Sequence, residues 1–258
     1  MIPNPVKSKV AAGGTSIGTM VFEFATTGIA RLAAEAGAEF VIFDMEHSGF
    51  SIDAIRMLLA SSPATKTVPM VRVPVTEYHF MARALDMGAM GIMVPMVETA
   101  EQARRIVQST KYPPVGRRGA AFGVAHDGYS GGDIIPKIES ANRETLLIAQ
   151  IETGEGVRNA DEIAAVPGID VLWIGHFDLS NFLGIPGQFT HPQFLAAVAK
   201  VLEACKKHGK TPGFMCSDVA GGQALLQQGF RILAYSGDLW LYQSALRAGI
   251  AELSNTPR

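Results

Sequence analysis

The chain has 258 residues and nearly balanced charge, 22 Lys and Arg against 24 Asp and Glu, with neither the basic stripe expected of a nucleic-acid-binding protein nor an acidic tail. Its two cysteines are too few for a disulfide framework and lack metal-finger spacing, which favours reduced core thiols and a cytoplasmic enzyme. No run approaches the roughly 18 apolar residues that span a membrane, and the first residues do not resemble a signal peptide, so we expect a soluble protein.

Short apolar runs rich in Val, Ile, Met and Phe alternate with segments whose apolar residues recur every three or four positions, as on amphipathic helices. The predicted strands lie at 16–24, 40–46, 68–74, 91–97, 146–152, 170–176, 211–216 and 230–236. Several are entered through a Gly that would end the preceding helix in a left-handed cap: Gly37, Gly88, Gly168 and Gly229. The chain therefore repeats one strand–helix unit.

Strands that are apolar throughout are buried on both faces, which indicates a parallel sheet covered by helices. Eight such units predict an α/β fold of the closed (β/α)8 TIM barrel type, with a doubly wound open sheet as the alternative. We expect a single domain over residues 1–258, because no change in composition marks a second one. A Gly- and Pro-rich segment over 111–133 follows a predicted helix at 99–110, and its length predicts a functional loop.

Catalytic groups of such a barrel lie where its strands end, and the predicted strand ends carry most of the chain's candidate chemistry. In chain order these residues are Glu23, Asp44, Glu46, His47, Arg72, Gln150, Glu152, His176 and Asp178. Because they follow the same ends of neighbouring parallel strands, we expect them to converge on one rim of the barrel.

Glu152 and Asp178 follow consecutive strands, so they should be neighbours across the barrel mouth. Two carboxylates with little nearby thiol or imidazole suit a hard divalent cation such as Mg²⁺ or Mn²⁺. From spacing alone, helix capping explains both carboxylates equally well. His176 could add an imidazole to the site and shift its preference toward Zn²⁺ or Co²⁺.

Arg72 lies inside an apolar run, where a permanently charged guanidinium requires an anion. That anion could be a carboxylate or enolate substrate, or equally Asp44 or Glu46 in an internal salt bridge. His47 and Asp44 form a plausible base and orienting carboxylate, because a carboxylate fixes the imidazole tautomer and raises its basicity. The role of Glu46 stays open.

Nucleotide binding and Schiff-base chemistry are not supported. The Gly-rich stretches GRRGAAFG and GYSGG match no P-loop, and no G-x-G-x-x-G follows a strand. Lys66 precedes the third strand and Lys137 lies in or near a helix, so no predicted strand ends on the Lys that a Schiff-base aldolase needs. A carbanion would have to be stabilised by a metal.

Six stretches, in order from about residue 15 to about residue 250, resemble the HpcH/HpaI aldolase family. They are FDMEHSGF, VRVP, GAMGIMVPMVETAEQARRIV, YPPVGRRG, QIETGEGVRNADEIAAVPGIDVLWIGHFDLS and LGIPGQFTHP. The resemblance implies a class II, metal-dependent aldolase that cleaves and forms 4-hydroxy-2-oxo acids, on a (β/α)8 barrel of the phosphoenolpyruvate/pyruvate-binding type. It also implies a homo-oligomer, commonly a hexamer whose subunits exchange a C-terminal helix.

The family's pyruvate half-site can be carried over residue by residue. Its two metal-ligating carboxylates match Glu152 and Asp178, which would bind Mg²⁺, Mn²⁺ or Co²⁺. Gln150 matches the Gln beside the metal. The backbone N–H groups around Phe177 and Asp178, which open a helix, match the place where the family holds the pyruvate carboxylate.

The resemblance also assigns the groups that would perform the reaction. The family's catalytic His matches His47, its carboxylate partner matches Asp44, and its pyruvate-facing Arg matches Arg72. These residues imply a retro-aldol and aldol cycle through a metal-stabilised pyruvate enolate. In it Arg72 stabilises charge on the keto oxygen and His47 moves the C4 hydroxyl proton.

Two departures from the family pattern fall on the aldehyde side. Many members read GPADLS where this chain has His176 and Phe177 before Asp178, and members often carry an Arg after G-x-R-G where this chain has Phe122 and His126. We expect both departures to reshape the aldehyde pocket, with Phe122 and His126 binding substrate, and to leave the pyruvate half-site unaltered.

Two other hypotheses fit the same residues. One is a related metal-enolate lyase or decarboxylase acting on oxaloacetate or a CoA thioester, although no basic CoA patch is recognisable. The other is a ligand-binding barrel that has lost its chemistry, against which the retained His47, Arg72, Glu152 and Asp178 argue. In each case the partner is a small molecule, with neither nucleic acid nor a membrane involved.

Overall fold

Eight parallel strands close into a barrel in sequence order, so the predicted TIM barrel is confirmed and the open-sheet alternative is wrong. The computed structural model describes residues 2–255. The strands are β1 (Ser16–Val21), β2 (Phe40–Asp44), β3 (Val68–Arg72), β4 (Gly91–Val94), β5 (Leu146–Ile151), β6 (Val171–Ile174), β7 (Thr211–Cys216) and β8 (Ile232–Gly237). β8 closes the barrel against β1, with Ser16 opposite Ile232.

Helices surround the barrel, and short 3₁₀ turns lie at Ser62–Ala64 and Ala125–Asp127. The helices are α1 (Pro5–Ala11), α2 (Ile29–Glu35), α3 (Ile52–Ser61), α4 (Tyr78–Asp86), α5 (Ala100–Thr110), α6 (Ile134–Glu144), α7 (Gly154–Arg158), α8 (Ala160–Ala164), α9 (His176–Phe182), α10 (Pro192–His208), α11 (Val219–Gln228) and α12 (Asp238–Ser254). The predicted functional loop over 111–133 is irregular apart from the second 3₁₀ turn.

The strands are mostly apolar because they contribute to two separate cores. Phe40 and Ile42 of β2 pack inside the barrel, whereas Val41 and Phe43 of the same strand pack against the surrounding helices. Alternate residues of a strand point to opposite faces, so a strand covered on both sides carries mostly apolar residues.

Helix α1 closes the amino-terminal end of the barrel, which we call the floor. Its Val6 and Val10 belong to the apolar cluster inside the barrel. The Asn4 side chain caps α1 by accepting the Lys7 N–H, and it donates to the main-chain oxygens of Met90 and Glu144. The opposite end, where the strands finish, is the mouth.

All four named glycines have positive φ, and Gly37, Gly88 and Gly229 end helices as predicted. Gly168 is the exception, because α8 already ends at Ala164 and Gly168 lies in the turn before β6. β1 and β2 end earlier than predicted because side chains replace the next strand hydrogen bonds. The Asp238 carboxylate accepts the N–H groups of residues 22–24, and the Asp44 carboxylate accepts those of Glu46 and His47. These bonds turn the chain out of the sheet at the mouth.

Both cysteines, Cys205 and Cys216, are buried and unpaired, as the sequence predicted. Within residues 2–255, none of the helices has the length and apolar character needed to cross a membrane.

Candidate active site

The mouth of the barrel contains a cavity of about 370 Å³ where the strand ends meet. Several residues predicted from the strand ends line it: Glu23, His47, Arg72, Gln150, His176, Phe177 and Asp178. Strand order accounts for this convergence, because the barrel brings the ends of sequence-distant strands to one rim.

A buried arginine–carboxylate cluster forms one side of the mouth. Asp44 and Arg72 are partners in the β2–β3 register, and the Arg72 Nε lies 2.5 Å from Asp44 Oδ1. The Arg72 Nη1 lies 3.2 Å from Glu46 Oε2. Asp44 is fully buried and Arg72 is nearly so. The internal salt bridge considered from the sequence is therefore present, and Arg72 still lines the cavity.

The expected orientation of His47 by Asp44 needs correction. The Asp44 Oδ2 accepts the backbone N–H of His47 at 2.7 Å, and the Asp44 Oδ1 is bound to Arg72. The His47 ring instead lies with its Nε2 3.8 Å from Glu46 Oε2 and 3.9 Å from Asp178 Oδ2. The tight turn after β2 explains this, because it carries the ring past Asp44 and out over the mouth.

Glu46, whose role the sequence left open, lies between the arginine and the imidazole. Burial raises the pKa of Glu46 to about 7; the positive charge of Arg72 opposes that shift, and the negative charges of Asp44 and Asp178 add to it. Its buried Oε2 is ion-paired with Arg72 but accepts no hydrogen bond from residues 2–255. A carboxylate placed in this way can hold or release a proton near neutral pH.

Glu152 is almost completely enclosed, with a relative exposure of 1%. Its Oε1 accepts the Met96 N–H at 2.6 Å, and its Oε2 accepts the Gln150 Nε2 at 2.5 Å. Burial raises the pKa of Glu152 to about 7; the hydrogen bonds from Met96 and Gln150 oppose that shift, and the charges of Glu46 and Asp178 add to it. Met96 adopts a φ of 54°, a left-handed conformation that a non-glycine residue rarely takes and that often marks functional sites.

These residues fit a divalent cation. Glu46, Glu152 and Asp178 repel one another across the mouth, and a cation between them would reverse that repulsion. Gly175 leaves room for the Glu152 carboxylate, because a Cβ at position 175 would lie 2.3 Å from Glu152 Oε2. Within residues 2–255, His, Cys, Asp and Glu side chains form no ready-made cluster of three or more ligands, so much of the coordination would fall to substrate oxygens and water, as Mg²⁺ commonly accepts.

His176 does not join the carboxylates. Its ring stacks on Phe214 with a centroid distance of 4.8 Å and also contacts Phe177 and Phe189. Burial among these rings lowers the pKa of His176 to about 4, which keeps the imidazole neutral. The sequence alternative of an imidazole metal ligand is therefore not supported, and His176 contributes an aromatic wall. Asp178 lies two residues later, in the first turn of α9.

Phe122 and His126 lie at the floor of this chain, so their expected place beside the aldehyde needs correction. His126 lines a floor cavity with Val68 and Met90, at the starts of β3 and β4, and Phe122 packs between His126 and Tyr112. The reason is the path of the loop. α5 runs back toward the floor, so the loop that follows it begins at the floor.

The same correction follows from how the loop is anchored. The Arg118 Nη2 binds the Asp86 Oδ1 at 2.6 Å, and Asp86 ends α4 at the floor. Lys111, the first residue of the loop, donates to main-chain oxygens of Asn142 and Thr145 next to the start of β5. Within one subunit, the loop is therefore held away from the mouth.

Sequence reasoning missed the aromatic side of the mouth and the residue that holds it. Phe22, Met215 and Trp240 line the cavity, and Asp238 binds the turn that carries Phe22. Reading the strand ends to the last strand would have found Asp238, because it directly follows β8. The aromatic residues carry no such signal, since apolar residues also fill the core.

Comparison with known proteins agrees with this architecture. The family model for HpcH/HpaI aldolase/citrate lyase matches residues 19–245. The chain is 36% identical over 237 residues to the hydroxypyruvate/pyruvate aldolase of Roseobacter denitrificans, covering 92% of this chain and 91% of the relative. It is 33% identical over 255 residues to the 2-keto-3-deoxy-L-rhamnonate aldolase of Salmonella typhimurium, covering 97% and 93%.

A solved structure shows the same arrangement of the backbone. The crystal structure of an HpcH/HpaI aldolase from Desulfitobacterium hafniense superposes with a TM-score of 0.93 at 33% identity, covering 97% of each chain. Barrel, mouth and relatives together define a carbon–carbon lyase of the aldolase type. The chain belongs to the HpcH/HpaI aldolase/citrate lyase family, which confirms the resemblance found in the sequence.

Proposed function

We propose that this enzyme reversibly cleaves 4-hydroxy-2-oxo acids to pyruvate and an aldehyde, with a divalent cation at the mouth of the barrel. The observation that carries the proposal is the convergence of Glu46, Glu152 and Asp178 beside Arg72. The names of the relatives support it, because they are aldolases of hydroxypyruvate/pyruvate and of a 2-keto-3-deoxy acid.

Glu152 and Asp178 would hold the cation, which we expect to be Mg²⁺, Mn²⁺ or Co²⁺. Bound there, the cation supplies Lewis-acid stabilisation of negative charge on the 2-keto oxygen of the substrate. Met96 N–H and Gln150 Nε2 hold the two oxygens of Glu152 in place. Met96 and Gln150 thus orient Glu152, the proposed metal ligand, before the substrate binds.

Arg72 stabilises the charge that develops at the keto oxygen. Its guanidinium is fixed by Asp44 and Glu46, so little reorganisation is required as the charge forms. In the cleavage direction His47 accepts the C4 hydroxyl proton, and Glu46 stabilises the resulting imidazolium or shares its proton. Asp44 acts through Arg72 and through the turn that carries His47.

The substrate carboxylate would lie at the first backbone N–H groups of α9, around Phe177 and Asp178. These groups open a helix and have no partner within it. Their partial positive charge complements a carboxylate, and the family resemblance assigns them this role.

The aldehyde would lie on the opposite side of the mouth, against Phe22, Met215, Leu239 and Trp240. Among the described residues that line the cavity, Arg72 is the only Lys or Arg, and in the proposed mechanism it already binds the pyruvate part of the substrate. An acceptor with a second carboxylate would therefore lack a counterion. We propose that the preferred acceptor is an uncharged aldehyde.

Exchange of the pyruvate methyl protons tests the proposed function without assuming an aldehyde. In deuterated buffer with Mg²⁺ or Mn²⁺, NMR should show loss of the methyl signal, and chelator should stop the exchange. Full activity after chelation, with no response to added Mg²⁺, Mn²⁺ or Co²⁺, would exclude the metal role. Separate assays with oxaloacetate and with pyruvate plus glycolaldehyde distinguish decarboxylation from aldol chemistry.

We also propose that subunits exchange α12 within a homo-oligomer, with a hexamer as the family expectation. α12 leaves the barrel after its first turn, and Leu246, Ile250 and Leu253 along it are exposed. An open apolar groove of about 470 Å³ lies between β1 and α2, lined by residues such as Val21 and Leu32. The apolar helix and groove fit an exchanged arrangement.

A further inference from the structure

One carboxylate outside the proposed catalytic set organises the acceptor side of the mouth. Asp238, the first residue of α12, has a relative exposure of 8%. Its Oδ1 accepts the N–H groups of Phe22 and Leu239, both at 2.9 Å. Its Oδ2 accepts those of Glu23 at 3.0 Å and Phe24 at 2.7 Å. Hydrogen bonds to a charged acceptor are the strong ones, so four on one side chain fix this turn firmly.

The turn that Asp238 holds presents an aromatic wall to the cavity. The Phe22 ring meets the Trp240 ring edge to face, with centroids 5.0 Å apart, and both residues line the mouth. The Arg72 guanidinium carbon lies 5.7 Å from the centre of the Phe22 ring. Phe22 therefore lies at the boundary between the arginine side and the space proposed for the aldehyde.

Gly237 shows that the wall is closely fitted. A Cβ at this position would lie 2.8 Å from Phe22 Cδ2 and 2.9 Å from Trp240 Cε3. Its φ of −138° is ordinary extended backbone that any residue can adopt. The two rings, and not the backbone conformation, therefore demand glycine here.

We propose that Asp238 is a positioning residue for the acceptor aldehyde, acting through the wall formed by Phe22 and Trp240. The inference rests on the proposed aldolase function. The wall belongs to the ends of β1 and β8, whereas the groups proposed to bind pyruvate lie at the ends of β3, β5 and β6. A displaced wall should weaken binding and alignment of the aldehyde and leave the removal of pyruvate methyl protons intact.

The test compares Asp238→Asn with wild type in two assays on the metal-loaded, full-length protein. The amide NH₂ faces backbone donors, so the turn at 22–24 must shift. We expect the KM for glycolaldehyde to rise about tenfold or more, because displacements near 1 Å are costly for alignment. Deuterium exchange into pyruvate should stay within about twofold of wild type, since that step needs no aldehyde.

Gly237→Ala provides a second route to the same wall without altering Asp238. Its methyl group displaces the two rings, so it should raise the KM for the aldehyde and leave deuterium exchange into pyruvate unchanged. If Asp238→Asn does not fold, this variant tests the proposal in its place. Asp218→Asn is the matched control. Asp218 follows β7 and caps α11 by accepting the Gly221 N–H at 2.7 Å, and it is not among the residues that line the mouth.

Two results would overturn the proposal. One is an unchanged aldehyde KM in the folded variants. The other is an equal loss of exchange and aldol rate, which indicates general damage to the site. Absence of exchange in the wild type with metal present would instead overturn the proposed function itself.

Discussion

The two ends of the barrel give their buried charged groups different partners. At the mouth, the half-buried Glu46 and the buried Glu152 lie near other carboxylates, and the pKa of each is raised to about 7. At the floor, the buried Lys111 Nζ donates to the main-chain oxygens of Asn142 and Thr145 at 2.7 and 2.8 Å, and Lys7 binds Asp170 at 2.9 Å.

This difference separates stability from function. The floor lysines Lys7 and Lys111 both donate to the main-chain oxygen of Thr145 at the start of β5, so they secure the closure of the barrel. The mouth keeps like charges together at a cost in folding free energy, which a bound cation and an anionic substrate would offset. Substitutions at the mouth should therefore change catalysis more than stability, and substitutions at the floor should do the reverse.

Asp178→Asn should give the largest effect and the clearest contrast. Loss of one of two proposed metal ligands removes several kcal/mol of transition-state stabilisation, so kcat/KM should fall on the order of 10³-fold. The free energy of unfolding should change by less than about 0.5 kcal/mol, because the side chain is partly exposed. Steady-state kinetics and urea denaturation measure the two quantities. Near-normal activity would remove Asp178 from the proposed site.

Arg72→Lys and Arg118→Lys compare the buried arginines of the two ends. Lysine cannot reach Asp44 and Glu46 together, so Arg72→Lys should lower kcat by roughly 10²-fold through loss of charge stabilisation at the keto oxygen. Arg118→Lys weakens the pair with Asp86 and should lower stability by about 1–3 kcal/mol with normal kcat. Equal kinetic losses in both variants would contradict the proposed division of roles.

Lys111→Met tests the floor by its pH dependence. Burial, reinforced by Lys7, lowers the pKa of Lys111 to about 7, so between pH 7 and about 10 the unfolded chain binds a proton that the folded chain does not. The free energy of unfolding of the wild type, relative to that of the variant, should therefore rise by on the order of 1 kcal/mol for each pH unit of increase across that range. Urea denaturation at pH 7 and pH 9 measures the gain, and parallel curves would contradict it. Activity should be normal.

Glu substitutions on α12 should have the smallest effect on the isolated subunit. Leu246→Glu with Ile250→Glu places charges on an exposed helix, so the free energy of unfolding should change by less than about 0.5 kcal/mol. If subunits exchange this helix, light scattering after size exclusion will show a smaller assembly. Met57→Glu, at an exposed apolar position of α3, is the control and should keep the wild-type mass. An unchanged mass in the double variant would rule out the exchange.

The fold could be read from the sequence because its signals are local and repeated. Apolar strands such as Phe40–Asp44 and helix-ending glycines such as Gly37 report their structure independently of distant residues. Parallel strand order then made Asp44 and Arg72 neighbours, so their pairing was also predictable.

What the sequence did not reveal depends on paths and contacts that no local pattern encodes. The ring of His47 lies near Glu46 because the turn is closed by backbone bonds to Asp44. Phe122 and His126 are carried to the floor by the direction of α5 and the anchor at Arg118. Motif comparison aligns such residues with a family but does not reveal which end of the barrel they reach.

Gly175 sets a limit for anyone who redesigns this enzyme. Acceptor scope can be varied on the aromatic side, where Phe22, Phe177 and Trp240 line the cavity. Position 175 allows no such freedom, because even an alanine methyl would meet Glu152 Oε2 at 2.3 Å. Libraries that randomise the start of α9 should therefore begin at His176, and a variant that gains a side chain at 175 is expected to need a displaced or shortened acid at 152.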